Sequence, residues 1–313
     1  MAALKSGSWV KEGRWVSKRL IFIGMLGLFS LAQAAVSVFD DAGNRVRLLQ
    51  PAKRIVSLAP HVTELLFAAG AGESLVGTVE YSDYPVAARN LPLVGGYSRI
   101  DLEAVIALSP DLIVAWESGN PTGDVEKLRS LGFQVYLSQP DSIEDVAVSI
   151  ERFGVLSGSS ITASSAANRF RERLARLRKQ YSERSSVDTF YQIWNKPMKT
   201  VGGKQIISEV IRLCGGRNVF FRLDTFAPTV SVEAVISANP EVIIGSGMGG
   251  ASAKLRPPWL DDWKYWRSVT AVARDNLFYI PPDLIQRHTP RLLDGAELLC
   301  QQLEVARSRR VAR

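Results

Sequence analysis

The chain is poor in the residues from which catalytic and metal centres are built. Its 313 residues include two histidines, two cysteines and four methionines. Capture of zinc or manganese converges several imidazoles, thiolates or carboxylates, so His61 and His288, far apart in sequence, do not make a dedicated metal site. No G-x-S-x-G elbow is present and no cysteine and histidine pair has local support, which leaves acyl transfer nothing to rest on. Gly202-Gly203-Lys204 lacks the Walker spacing. The run Gly245-Ser-Gly247-Met-Gly249-Gly250 comes after an apolar strand pattern, but the next residues, Ala-Ser-Ala-Lys-Leu-Arg-Pro-Pro, are a poor helix opening, and no acidic residue ends a later strand at the distance a dinucleotide needs. A nucleotide-dependent α/β enzyme is therefore the weaker alternative.

Long apolar runs are also missing. The run at 20–32 is 13 residues, short for a bilayer span. It follows Lys5, Lys11, Arg14, Lys18 and Arg19 and ends at Ala32-Gln33-Ala34, an A-x-A cleavage pattern. Residues 1–34 are expected to be a cleaved secretory signal, with a retained anchor as the alternative. No cysteine follows the run, so no lipoprotein acyl site exists there. The net charge of +7 would point to nucleic acid as a partner, but the distribution removes it. Without that segment, 33 basic and 30 acidic side chains remain, and Arg307, Arg309, Arg310 and Arg313 crowd the last seven positions. Export makes a bridged Cys214–Cys300 pair the leading expectation, with two buried thiols as the other reading.

The chain does contain a stretch written twice. Asp101-Leu-Glu-Ala-Val-Ile-Ala-Leu-Ser-Pro-Asp-Leu-Ile-Val114 returns as Ser231-Val-Glu-Ala-Val-Ile-Ser-Ala-Asn-Pro-Glu-Val-Ile-Ile244. Each copy reads as a short amphipathic helix stopped at a proline, then a buried strand. So long a period means two similar lobes rather than a solenoid. It places Glu103 and Glu233 at matched points in the first helical turn, where the helix dipole alone accounts for an acid and a two-fold partner is the functional reading.

Around the repeats the pattern is α/β. A hairpin at 36–49 turns on Asp40-Asp41-Ala-Gly43-Asn44. Strands at 54–58, 75–81, 112–116 and 134–137 alternate with helices from near Thr63, Leu102, Asp124 and Ser142, which predicts a parallel sheet covered on both faces. Residues 162–184 lack glycine and proline and carry Phe170, Leu174, Leu177 and Tyr181 at helical spacing, forming one connecting helix. Strands at 189–194, 242–245 and 277–280 and a helix at 290–306 complete a second lobe. The expected organisation is a signal at 1–34, a first lobe at 35–157, a connector at 158–185, a second lobe at 186–306 and an unstructured basic tail at 307–313.

Ligands of open parallel sheets sit beyond the carboxyl ends of the strands. The residues there are Pro60 and His61, then Tyr81, Tyr97, Trp116, Trp194 and Arg287. Core packing explains any one of these aromatics. Their concentration just past strand ends favours a flat, partly apolar ligand.

The segments Arg54-Ile-Val-Ser-Leu-Ala-Pro-His-Val-Thr-Glu-Leu, Glu80-Tyr-Ser-Asp-Tyr-Pro85, Asp101 to Trp116 and Cys214-Gly-Gly-Arg-Asn-Val-Phe220 resemble the periplasmic cobalamin-binding proteins of ABC importers, helical-backbone substrate-binding proteins, over nearly all of the mature chain. The resemblance implies two Rossmann-like lobes joined by one long helix, and a periplasmic, non-enzymatic receptor without a cofactor, monomeric when free. A corrinoid in the cleft would meet Tyr81, Tyr97, Trp116 and the segment Asp283, Leu284, Ile285, Gln286 and Arg287. Glu103 and Glu233 would dock the importer's membrane subunits, and Cys214 with Cys300 would match the family's disulfide. The chain departs from the pattern at three places: Tyr97 stands where a tryptophan is familiar, Ala227 where an aromatic is, and Leu284-Ile285-Gln286 alters a binding loop. Siderophore or haem binding is the sibling alternative. An anionic siderophore would favour several cleft arginines, where only Arg287 is placed, and haem could take a tyrosine oxygen from Tyr81 or Tyr97.

Overall fold

In a computed structural model of the protein, residues 1–3, 7, 35–247 and 255–311 are described. Most of the expected signal segment, and positions 248–254 of the glycine-rich stretch, lie outside them.

Strands β1 (Val36–Phe39) and β2 (Arg45–Leu48) pair as an antiparallel hairpin. The Asp40 carboxylate accepts from the Asn44 amide at 2.6 Å, and Gly43 takes a positive φ of 80°, a conformation glycine enters without penalty. The first lobe continues with β3 (Ile55–Ser57), α1 (Pro60–Ala68), β4 (Leu75–Gly77), the small pair β5 (Gly95–Gly96) and β6 (Arg99–Ile100), α2 (Leu102–Ala107), β7 (Leu112–Trp116), α3 (Thr122–Ser130), β8 (Val135–Ser138) and α4 (Ile143–Ser157). Its sheet has the order β4-β3-β7-β8 with every pairing parallel. Leu112, Ile113, Val114 and Ala115 of β7 are fully buried, as a strand covered on both faces requires.

Helix α5 (Ser160–Tyr181) leaves this lobe; its 22 residues extend about 33 Å. Phe170, Leu174, Leu177 and Tyr181 form its buried stripe. The second lobe holds β9 (Val187–Trp194), β10 (Lys199–Thr200), α6 (Ile206–Leu213), β11 (Gly216–Asn218), α7 (Val232–Ala238), β12 (Val242–Gly245), a 3-10 helix Pro258–Tyr265, α8 (Thr270–Ala273), β13 (Leu277–Tyr279), α9 (Pro282–Ile285) and α10 (Leu292–Val311). The β9, β11, β12 and β13 strands run parallel, while β10 pairs antiparallel with the end of β9 because Asn195 to Met198 turns the chain back. The sequence pattern gives no sign of that strand. One apolar core runs through α4, α5, α6 and α10 and joins the two sheets, with Phe153, Phe170, Tyr191 and Leu299 among its members.

The repeated segments fold alike. Asp101 caps α2 by accepting from the Ala104 amide at 3.0 Å, and Ser231 caps α7 by accepting from the Ala234 amide at 3.2 Å. Glu103 and Glu233 stand exposed at the second position of their helices.

Two expectations are corrected. Helix α1 begins at Pro60, three residues before Thr63, because proline fits a first helical turn; His61 is therefore a buried helical residue, not a loop residue. The segment after Ala306 continues α10 to Val311 instead of forming an unstructured tail. Arg307 donates to the carbonyls of Ser185 at 2.8 Å, Cys214 at 2.8 Å and Gly215 at 3.0 Å, and Arg310 binds Glu241. Each basic group has a local acceptor that holds the last turn against the lobe.

Candidate ligand cleft

The carboxyl ends of β3, β4 and β7 build one wall. Thr63, in α1, shares hydrogen bonds with the hydroxyls of Ser57 at 2.8 Å, Thr78 at 2.7 Å and Ser82 at 3.1 Å. This buried hydroxyl cluster ties the loop after β4 to the helix. Beside it Tyr81 takes φ 65°, a sparsely populated conformation for a bulky residue, and leaves its side chain 56% exposed. Trp116 ends β7 and packs against His61 (ring centres 5.4 Å apart) and Tyr97 (5.8 Å). Its indole N–H donates to Gln139 at 3.1 Å. Asn120 braces the same point: it accepts from the Trp116 amide at 2.6 Å and donates to the carbonyls of Leu58 at 2.9 Å and Tyr97 at 2.7 Å. Trp116 also covers Gly119 so closely that a Cβ there would fall 1.9 Å from the ring.

His61 is enclosed and its Nε2 has no hydrogen-bond partner. Burial first, then repulsion from His288 and Arg287, lower its pKa to about 3, so the ring is neutral and meets the Trp116 ring edge-on. His288 crosses from the second lobe to donate from Nδ1 to the Pro140 carbonyl at 2.6 Å.

The second wall comes from 283–291. Arg287 donates to Glu64 at 3.0 Å, to Asp83 at 2.8 Å and to the Tyr81 carbonyl at 3.2 Å, and stands 3.1 Å from Asp283. Arg291 grips Glu64 with two nitrogens at 2.9 and 2.5 Å and lies 4.2 Å over the Tyr84 ring. Glu64 and Asp83 belong to the first lobe, so this cluster spans the seam. Burial alone would raise the Asp83 pKa, but the hydrogen bond and charge of Arg287 bring it below the ordinary carboxylate value. Two cations thus meet three carboxylates, and Arg287 is not free for an anion.

The remaining expected residues divide. Gln286 donates to the Gly247 carbonyl at 2.8 Å and the Tyr191 hydroxyl at 3.3 Å, which fixes the loop. Leu284 is half-buried, with its carbonyl so close to α10 that a Cβ on Gly295 would fall 2.5 Å from it. Ile285 is fully buried in the core, and Pro60 is half-buried at the start of α1. Trp194 is 39% exposed at the end of β9, its N–H donating to the Lys196 carbonyl at 3.0 Å, and among the described residues no ring contact joins it to the Trp116 stack. Cys214 and Cys300 are bonded. Among the described residues no group of three or more histidine, cysteine or acidic side chains could hold a metal.

Sequence reasoning placed Glu64 and Asp83 past the strand ends without giving them a role, and missed Arg291, Asn120 and Gln139. Glu64 carried a signal, since an acid among Val62, Leu65 and Leu66 on an apolar helix must meet a buried partner. Asn120 and Gln139 carried none, because their role depends on how separate loops meet.

Two α/β lobes with parallel strands, one long connecting helix and an aromatic seam are the architecture of a bilobed binding protein. The family model of periplasmic binding proteins matches residues 55–284, and the chain belongs to that family. It is 40% identical over 257 residues to a vitamin B12-binding protein of Vibrio cholerae serotype O1, covering 82% of this chain and 91% of that one. The crystal structure of the periplasmic vitamin B12-binding protein BtuF of Vibrio cholerae superposes with a TM-score of 0.74 at 39% identity, covering 82% of this chain and 98% of that one. The periplasmic heme-binding protein HutB of Vibrio cholerae, at 22% identity and a TM-score of 0.66 over 80% of this chain and 98% of its own, shares the fold.

Proposed function

We propose that the protein is a periplasmic receptor that captures cobalamin or a related corrinoid between its lobes and delivers it, without catalysis, to an inner-membrane ABC importer. The observation that carries this reading is an aromatic cleft whose arginine is not free: Tyr81, Tyr97 and Trp116 stand on one wall, and Arg287 of the other is already engaged by Glu64, Asp83 and Asp283. A nearly neutral amphipathic disc fits such a surface, whereas an anionic ferric siderophore or the carboxylates of haem would favour free cations. The vitamin B12-binding relatives at 40% identity support the same cargo. The exposed, matched Glu103 and Glu233 present one carboxylate per lobe to arginines on a two-fold membrane partner.

Calorimetric titration with cyanocobalamin tests the reading. Saturable one-to-one binding is the expected result, and no heat with cyanocobalamin but saturation with haem would overturn it. Exchange of Glu103 and Glu233 for alanine should abolish uptake and leave affinity intact. Survival of uptake would remove the docking role.

A further inference from the structure

Outside the seam, the second lobe carries a cavity of about 450 Å³ walled by Met198, Val230, Val232, Trp259, Trp263 and Trp266. Three of the seven tryptophans in the chain meet here, all from the 3-10 helix after β12 and the residue that follows it. Trp263 forms the rigid back: it is buried, its N–H donates to Gln192 of β9 at 2.8 Å, and its ring meets Phe190 edge-on at 5.7 Å. Trp259 lies over Gly245, where a Cβ would come within 3.2 Å of the indole. Trp266 is 43% exposed and forms the lip. Facing them is the turn from Asn195 to Met198, which directly follows Trp194.

Position and chemistry both restrict the occupant. The cavity sits at the carboxyl ends of β9 and β12, the side of the sheet on which Trp194 stands. Its volume lies within the range of small-molecule sites but is small for an entire corrinoid, which would have to leave most of its bulk outside. Asn195, Lys196, Ser231 and Asp262 also belong to the lining, and the indole, thioether and valine part of it favours a planar heterocycle stacked on tryptophan. The corrin ring, fringed with amides, does not have that character; the base of the lower nucleotide does. Ala227, near Val230 in sequence, supplies no aromatic, so the indoles from the other side of the cavity provide the stacking surface.

We propose that the cavity between Met198 and Trp259–Trp266 is the subsite for the nucleotide base of a corrinoid, an inference that rests on the cargo proposed above. The test compares cyanocobalamin with cobinamide, which lacks the lower nucleotide, on the full chain and on its Trp266→Ala and Trp259→Ala variants. Each variant should bind cyanocobalamin about five- to a hundredfold more weakly, the range expected for loss of one base-stacking partner, with cobinamide affinity changed less than about twofold. Trp266→Phe keeps a ring at the lip and should restore most of the loss, which separates stacking from a folding defect. Equal loss for both ligands, no loss in either variant, or a wild-type chain that does not distinguish the two ligands would overturn the subsite and leave the cargo standing. Unchanged affinities with impaired uptake would also overturn it, by assigning the tryptophans to importer contact. A wild-type chain that binds neither corrinoid would instead remove the cargo itself.

Discussion

Replacing Glu64 with glutamine should destabilise the protein by about 2–4 kcal/mol, although the two side chains have nearly the same shape. The Glu64 side chain is 2% exposed and receives hydrogen bonds from Arg287 and from two nitrogens of Arg291. Breaking a buried pair by removing one partner costs about 3–5 kcal/mol because the other charge is left uncompensated. Arg287 keeps Asp83 and Asp283, so the loss falls on Arg291, which retains a face of Tyr84 at 4.2 Å and is 17% exposed. That exposure lets water compensate part of the orphaned charge, which sets the lower estimate. Urea unfolding at neutral pH measures it. The argument also fixes a sign that simple loss of packing does not: Arg291→Met added to Glu64→Gln removes the orphaned cation and should recover stability relative to the single variant. A single variant within about 0.5 kcal/mol of wild type, or a double variant weaker than the single, would refute the reasoning.

The neutral His61 sets an acid limit. Its folded pKa near 3 lies below the unfolded value near 6.5, so in that window the unfolded chain binds a proton that the folded one refuses. Stability is then complete above about pH 6.5 and falls as pH drops; from pH 7.5 to 5.5 His61 alone should remove about 1.4 kcal/mol, and denaturation of His61→Asn at the two pH values should show a flatter dependence. Gly119→Ala places a Cβ 1.9 Å from the Trp116 ring, so it should change the near-ultraviolet dichroism and weaken corrinoid binding at least about tenfold, whereas Gly123→Ala, with open space around its Cβ, should do neither. Cys214→Ala with Cys300→Ala opens a link across 86 residues and should cost about 4–5 kcal/mol by loop entropy, read as a lower denaturation midpoint. Asp83→Asn removes a carboxylate from Arg287 and should raise affinity for haem relative to cyanocobalamin; an unchanged ratio in paired titrations would count against charge as the cargo filter.

The features legible in the sequence were those written locally. The two copies of the Glu-Ala-Val-Ile segment, each with its capping residue before it and a buried strand after it, predict α2–β7 and α7–β12 in type and order because periodicity and capping act within a dozen residues. The hairpin turn at Gly43 and the apolar stripe of α5 are legible for the same reason. The seam was not. Arg287 reads as a solitary cation because its partners, Glu64 and Asp83, lie more than 200 residues away. The tryptophans at 259, 263 and 266 fit an amphipathic segment, and only the fold of β9 and β10 sets Met198 opposite them. The basic terminus misleads in a related way, since Arg307 and Arg310 look solvated until the carbonyls of Ser185 and Cys214 and the carboxylate of Glu241 are set beside them.

Where the arginines go decides which charges the cleft can offer a ligand. Those of the last helical turns satisfy carbonyls and carboxylates within the second lobe, and Arg173 of the connector binds Asp294 and Glu297 at 2.5 and 2.7 Å. Arg287 and Arg291, placed where a ligand would meet them, are held by acids from the opposite lobe. Each guanidinium bound in this way is lost as an anion receptor and gained as a strut, so the contacts that hold the lobes together are also those that keep Arg287 and Arg291 from an anionic ligand. A cargo cannot then be selected by attracting its charge. On the cargo proposed above, selection comes from shape and stacking, which assigns recognition to the aromatic residues at the strand ends and not to the abundant cations.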